Sequence, residues 1–231
     1  MGRNPETGFT VVRRRRKSRG IIPLADAPNN PSSAGIGYQS TTLQALNAVT
    51  KPNHLRNTRC YLIGHMQYSD GRGWRDTVKS EFKDTGIKFY DPYHKPFVHD
   101  VPEDENSRSE MLHWMETGQY DLVAQRMKDV RGYDLRLCDI CDWFIAVIKP
   151  KIASWGSAEE ITTVIREKKP LFLVIDDPAG KKATPLWLMS IMPHKYIYDN
   201  LTDALTTIRG IDSGVIKMSS DRWKLLQPEL R

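Results

Sequence analysis

The stretch Asp142-Trp143-Phe144-Ile145-Ala146-Val147-Ile148-Lys149-Pro150 decides the fold. Its apolar residues run without a polar interruption until Lys149-Pro150 stops them. A strand with one wet face alternates apolar and polar side chains, so an unbroken run reads as a strand buried on both faces. Similar runs lie on either side: Cys60-Tyr61-Leu62-Ile63, stopped by Gly64, and residues 171–175, ended by Asp176-Asp177-Pro178. Two shorter ones are residues 87–90, closed by Asp91-Pro92, and 196–198. Between them lie helical patterns. Trp74, Val78 and Phe82 share one face over residues 74–84, the mark of an amphipathic helix. Residues 107–139 are helical in pattern with interruptions expected at Gly118 and Gly132, and residues 157–168 and 201–208 predict two more helices. Residues 93–107, with Pro96, Pro102 and the acids Glu103, Asp104 and Glu105, read as a solvated loop.

Strands that alternate with helices predict an α/β fold, a parallel five-stranded sheet with helices on both faces. In such folds ligands bind beyond the carboxyl ends of the strands, where the strand order reverses. Residues 64–73, 90–96 and 149–156 are expected to line that edge.

The chain divides into an irregular basic extension over 1–57, the α/β domain over 58–210 and a C-terminal tail over 211–231. The extension has Pro23, Pro28, Pro31 and Pro52 among Asn, Ser, Gly and Ala, with two helical turns expected over 41–49. Residues 1–20 hold seven Lys or Arg against one acid, Glu6; they carry the whole net charge of +6, and the remaining residues balance at 27 of each sign. The basic excess therefore belongs to an arm and does not mark the domain as a nucleic-acid-binding fold. The run Arg13-Arg14-Arg15-Arg16-Lys17 reads as a solvated arm or as an electrostatic hold on nucleic acid or another polyanion. No apolar run approaches the ~20 residues of a membrane helix, and the start lacks the apolar core of a signal peptide. A cytoplasmic protein with no membrane partner is expected. Three cysteines are too few for a disulfide framework, and Cys138-x-x-Cys141 has neither a second pair nor a His at ligand spacing, so they read as structural thiols and no metal site is expected. Trp114, Trp143, Trp187 and Trp223 read as core or interface anchors.

Two acids stand out by position. Glu160 follows Gly156-Ser157-Ala158 near the predicted start of the helix after the third strand, where the helix dipole favours an anion. Asp134 lies eight residues before Asp142, which precedes that same strand. By position alone Glu160 is equally an ordinary first-turn acid, as Glu159 beside it is. An ionised carboxylate with a second acid nearby suits cleavage of an N-glycosidic bond, in which the sugar gains oxocarbenium character and the departing base needs a proton.

The segment Gly156-Ser157-Ala158-Glu159-Glu160, followed by Lys169-Pro170 and the apolar run, resembles the signature of the nucleoside 2-deoxyribosyltransferase family, which includes the related 2-deoxynucleoside 5′-monophosphate N-glycosidases. Tyr133-Asp134-Leu135 with residues 142–147, Tyr61-Leu62-Ile63-Gly64-His65-Met66, and Gly73-Trp74-Arg75-Asp76 are similar to three further pieces of the family pattern, the last common in its bacterial and phage members. The likeness spans about residues 59–200 in order. It implies a flavodoxin-like arrangement of the sheet, Glu160 as nucleophile, Asp134 as the acid that assists base departure, a retaining two-step route without cofactor or metal, and a homo-oligomer. A phage member would work in the host cytoplasm.

Around the two acids, Gly64, His65, Met66, Asp91, Tyr93, Gly156 and Ser157 are candidate substrate contacts. Ser69, Arg72 and Arg75 sit with Gly71 and Gly73 in a turn at a helix start suited to an anion such as a 5′-phosphate, or are simply a turn with a solvated Arg. Hydrolysis of NAD makes similar demands on a Glu. The competing reading from another class is a catalytically silent member of the fold that assembles or binds through its basic arm.

Overall fold

A computed structural model describes residues 53–66, 71–94 and 103–217. The turns expected over 41–49, the basic run 13–17, Ser69 and Trp223 lie outside the described residues. The elements follow in the order β1 (Arg59–Gly64), α1 (Arg72–Glu81), β2 (Lys88–Tyr90), α2 (Glu105–Glu116), α3 (Tyr120–Ile140), β3 (Trp143–Ile148), α4 (Trp155–Arg166), β4 (Leu171–Ile175), α5 (Leu186–Ile191), β5 (Ile197–Tyr198) and α6 (Leu201–Asp212). Short 3-10 turns at Gly180–Ala183 and His194–Tyr196 flank α5. All four strand pairings are parallel, in the order β2-β1-β3-β4-β5. The order reverses between β1 and β3, so a crevice opens there at the carboxyl edge.

The unbroken apolar runs form the three central strands because both faces are covered. Tyr61 and Phe144 pair edge-to-face at 6.4 Å, on the side covered by α3 and α4. On the other side, beside α1 and α6, an aromatic row links Phe82, Phe89, Trp143 and Phe172 through centroid distances of 5.9–6.3 Å. The Trp143 indole N–H, inside this core, donates to Thr58 Oγ1 at 3.0 Å. Trp187 on α5 is instead exposed, and Trp114 is half-buried. Cys60, Cys138 and Cys141 are free and buried, and burial pushes their thiols up, Cys141 to about 12. Such thiols pack as small apolar groups.

Residues on both sides of 58–210 join the packed unit. Leu55 is buried, its N–H donates to Asp212 Oδ1 at 2.9 Å, and the His54 N–H donates to the Asp212 carbonyl at 3.0 Å. Of the two glycines expected to interrupt 107–139, only Gly118 does so. It takes φ +73°, a conformation costly for other residues, and separates α2 from α3. Gly132 stays helical inside the 21 residues of α3, where neighbouring packing outweighs its poor propensity. The Lys169 ammonium, just before β4, donates to the carbonyls of Cys138 and Asp139 near the end of α3. A cation at these unsatisfied carbonyls also opposes the negative end of the helix dipole. None of the described helices is long and apolar enough to cross a membrane.

Candidate active site

The crevice at the reversal of strand order holds a cavity of about 320 Å³, lined from β1, α3, α4 and the segments before α2 and α4. Gly64 ends β1 at its floor. A Cβ there would meet the Val147 carbonyl at 2.9 Å and the Trp74 ring at 3.0 Å, so only glycine lets the strand end lie this close to β3. Gly156, on the opposite wall, would meet nothing within 4 Å, so this part of the cavity is open space.

Glu160 reaches the cavity from α4. The helix begins at Trp155, two residues before its predicted start, which moves Glu160 into the second turn. The dipole argument for a permanently ionised carboxylate fails for that reason, since the effect fades after the first turn. Its side chain is 7 % exposed, and its Oε1 accepts a hydrogen bond from the Tyr61 hydroxyl at 2.7 Å. Burial first, then the Asp134 charge, push the Glu160 carboxyl up to about 8 against the relief given by Tyr61. Glu103 adds repulsion and Arg75 a little attraction. A buried acid beside a second acid holds its proton, because two neighbouring anions in a low dielectric repel strongly.

Asp134 reaches the same cavity from α3, half-buried, between the lining residues Arg131 and Leu135. The expected pair of carboxylates is thus brought to one cleft from the two helices that flank β3. Gly64, Met66, Gly156 and Ser157 also line it. The Ser154 hydroxyl donates to Ser157 Oγ at 2.8 Å, which fixes the first turn of α4 on the cavity wall.

Other predicted contacts have different duties. Arg75, expected at an anion site, is 1 % exposed. Its guanidinium donates to the carbonyls of Leu62 (3.3 Å), Gly71 (2.8 Å) and Gly64 (3.0 Å), and stacks on Trp74 at 4.5 Å. It fastens α1 to the end of β1 from inside the wall. Asp91 is buried too. Burial raises its carboxyl, but a hydrogen bond from Lys79 and the N–H groups of Tyr93 (2.8 Å) and His94 (2.9 Å) bring it below the usual range. Tyr93 lies under Arg72, whose guanidinium carbon is 4.8 Å from the ring centre, and both stand off the cavity lining. His65 is buried with its ring held toward the neutral form by burial and by Lys149 and Arg75, and it does not line the cavity either.

The acidic loop 103–105 divides three ways. Glu103 lines the cavity; Asp104, exposed, caps α2 by accepting from the Ser107 N–H at 2.8 Å; Glu105 is exposed as expected. Asp104 three residues before Ser107 is a readable cap pattern, whereas nothing local announces Glu103's role. Tyr61 is announced by period-two alternation along β1 once α4 is known to cover that face. At the rim Arg131 pairs with Glu159, its Nε donating to Oε2 at 2.8 Å. The lining among the described residues therefore carries Glu103, Asp134, Glu159 and Glu160 against one cation, Arg131. No group of acids, histidines and cysteines suited to a metal ion occurs among the described residues.

The arrangement sets a buried, proton-holding carboxyl and a second carboxyl on one cavity. No protein-family model matches the sequence, and no curated protein matches it either.

Proposed function

We propose that this chain cleaves or transfers the N-glycosidic bond of a 2-deoxynucleoside or its 5′-monophosphate, with Glu160 as nucleophile and Asp134 as acid–base partner. The observation that carries the reading is the meeting of these two side chains in one cavity, with the Tyr61 hydroxyl aimed at Glu160. Strand order 2-1-3-4-5 supports a flavodoxin-like classification, and a crevice at the β1/β3 reversal is where such sheets bind ligands. Four motifs in register with the nucleoside 2-deoxyribosyltransferase pattern support the same reaction class.

One proton shared by the pair serves the chemistry. With the proton on Asp134, the Glu160 oxygen attacks the anomeric carbon while the carbon–nitrogen bond breaks. The bonding electrons pass to the base nitrogen, and the base takes a proton from Asp134 either there or at another ring position. The glycosyl ester on Glu160 is then attacked by water or a second base, whose proton returns to Asp134, and the carboxylate of Glu160 is restored. Two displacements retain configuration at the sugar. The route calls on no metal or cofactor. Arg75 is spent on carbonyls, and four carboxylates face one paired cation, so the lining supports the uncharged nucleoside over its monophosphate.

Incubation with 2-deoxynucleosides, their monophosphates and NAD, followed by chromatography, tests the reading. Free base is expected fastest from a 2-deoxynucleoside, and mass spectrometry of quenched enzyme is expected to show a deoxyribosyl adduct on the peptide holding Glu160. No free base from any of the three classes overturns it.

A further inference from the structure

A second cavity of about 380 Å³ opens between α2 and α3, and it shares Met66, Glu103, Met127 and Val130 with the first. The shared residues set the two cavities side by side, with chemically distinct linings. Val123, Met127, Val130 and Asp134 follow at spacings of four, three and four on α3, so a single stripe of that helix runs from the second cavity to the acid. Opposite the stripe, α2 contributes Met111, Leu112 and Met115.

Glu103 stands at the junction with the first cavity, and the other polar groups of this annex are engaged in hydrogen bonds. Asp104 accepts from the Ser107 N–H, the Ser107 hydroxyl donates to the Asp104 carbonyl at 3.0 Å, and Arg108 donates to the Met66 carbonyl. Away from Glu103, what remains is thioether and aliphatic surface, adaptable in shape and suited to an apolar guest. Leu112 and Met115 are 57 % and 49 % exposed, so the annex holds apolar surface in contact with water that a guest would cover.

We infer that the annex is a binding site for an alkyl or aryl substituent on the departing or accepting base. This rests on the reading of Glu160 and Asp134 as the catalytic pair. The stripe fixes which part of the ligand enters. A base that receives its proton from Asp134 lies at the upper end of the stripe, and a substituent on that base extends toward Met127 and Val123. The sugar sits at Glu160, on the far side of Asp134 from the annex.

Two measurements test the site. The first is calorimetric binding of free bases in matched pairs, N6-benzyladenine against adenine and 5-benzyluracil against uracil, which needs no catalysis. At least one benzyl base is expected to bind about tenfold to a hundredfold more tightly than its parent, the gain available from burying an aryl group. Leu112→Gln and Met115→Gln, at half-exposed positions compatible with folding, are expected to erase that advantage and leave parent binding unchanged. The second is kcat/KM for the corresponding 2-deoxynucleosides, expected to show the same preference and the same loss. Equal binding within both pairs overturns the site, as does a preference that both variants leave intact. Sedimentation showing a dimer that either variant disperses also overturns it, because a second copy would then cover the annex. If no substrate releases base but the binding preference and its loss persist, the annex stands and the catalytic reading fails.

Discussion

Two ionisable side chains are buried against opposite sides of β1, and they have opposite fates. Arg75 meets three backbone carbonyls and an indole face, so its charge is compensated where it stands. Glu160 meets one hydroxyl and a second carboxylate, so its charge is opposed. Burial is common to both; what differs is how far the surroundings were built to hold the ion. A compensated buried charge acts as a fastener, whereas an opposed one retains reactivity for a ligand to release.

The sharpest way to break the contrast is Glu160→Gln. Base release is expected to fall by about 10⁴-fold or more, as when other enzymic nucleophiles are removed. The amide oxygen still accepts from Tyr61, so stability at neutral pH is held or improved. Residual activity near the original level, measured by single-turnover base release, would end the assignment. Arg75→Met asks the opposite question. It removes the donor that Leu62, Gly64 and Gly71 share and the tie between α1 and the end of β1, and the expected loss is about 3–5 kcal/mol by chemical denaturation.

A pH series sharpens the comparison further. Glu160 has an ordinary value of 4.5 and a folded value of about 8, so the folded state binds the extra proton between them. Stability from this group is full below 4.5 and is lost as pH rises through about 8. Between about pH 5.5 and 7.5 the native protein is expected to lose about 2–3 kcal/mol more than Glu160→Gln does over the same interval. Equal slopes for the two proteins would show that Glu160 is not held neutral. The smallest effect is expected from Tyr61→Phe, which removes the one hydrogen bond favouring the anion. The alkaline fall of the pH–rate profile, where the pair loses its shared proton, should move to higher pH, with base release at neutral pH reduced several-fold.

Much of the frame is legible in the sequence. Residues 143–148, 60–63 and 171–175 are strands because unbroken apolar runs have few other homes, and Glu160 and Asp134 were marked by their places on either side of one such run. The misreadings share a cause. Arg75 in a glycine-bearing turn looks like an anion site because sequence displays the cation and hides the carbonyls that consume it. Glu103 looks solvated because its loop is polar, and only the return of α3 beside it makes a cavity wall. The permanently charged Glu160 depended on a helix start misplaced by two residues, half a turn, enough to carry the side chain from the helix mouth into the interior.

The clasp of Lys169 on the last carbonyls of α3 makes that helix a lever with a fixed fulcrum. Asp134 lies five residues from Asp139, about 7.5 Å along the axis, while Val123 lies sixteen residues away, about 24 Å. A small tilt therefore displaces the Val123 end roughly three times as far as the acid. On the proposed reading, a bulky base would widen the cleft at the Val123 end while the proton donor stayed near its mark.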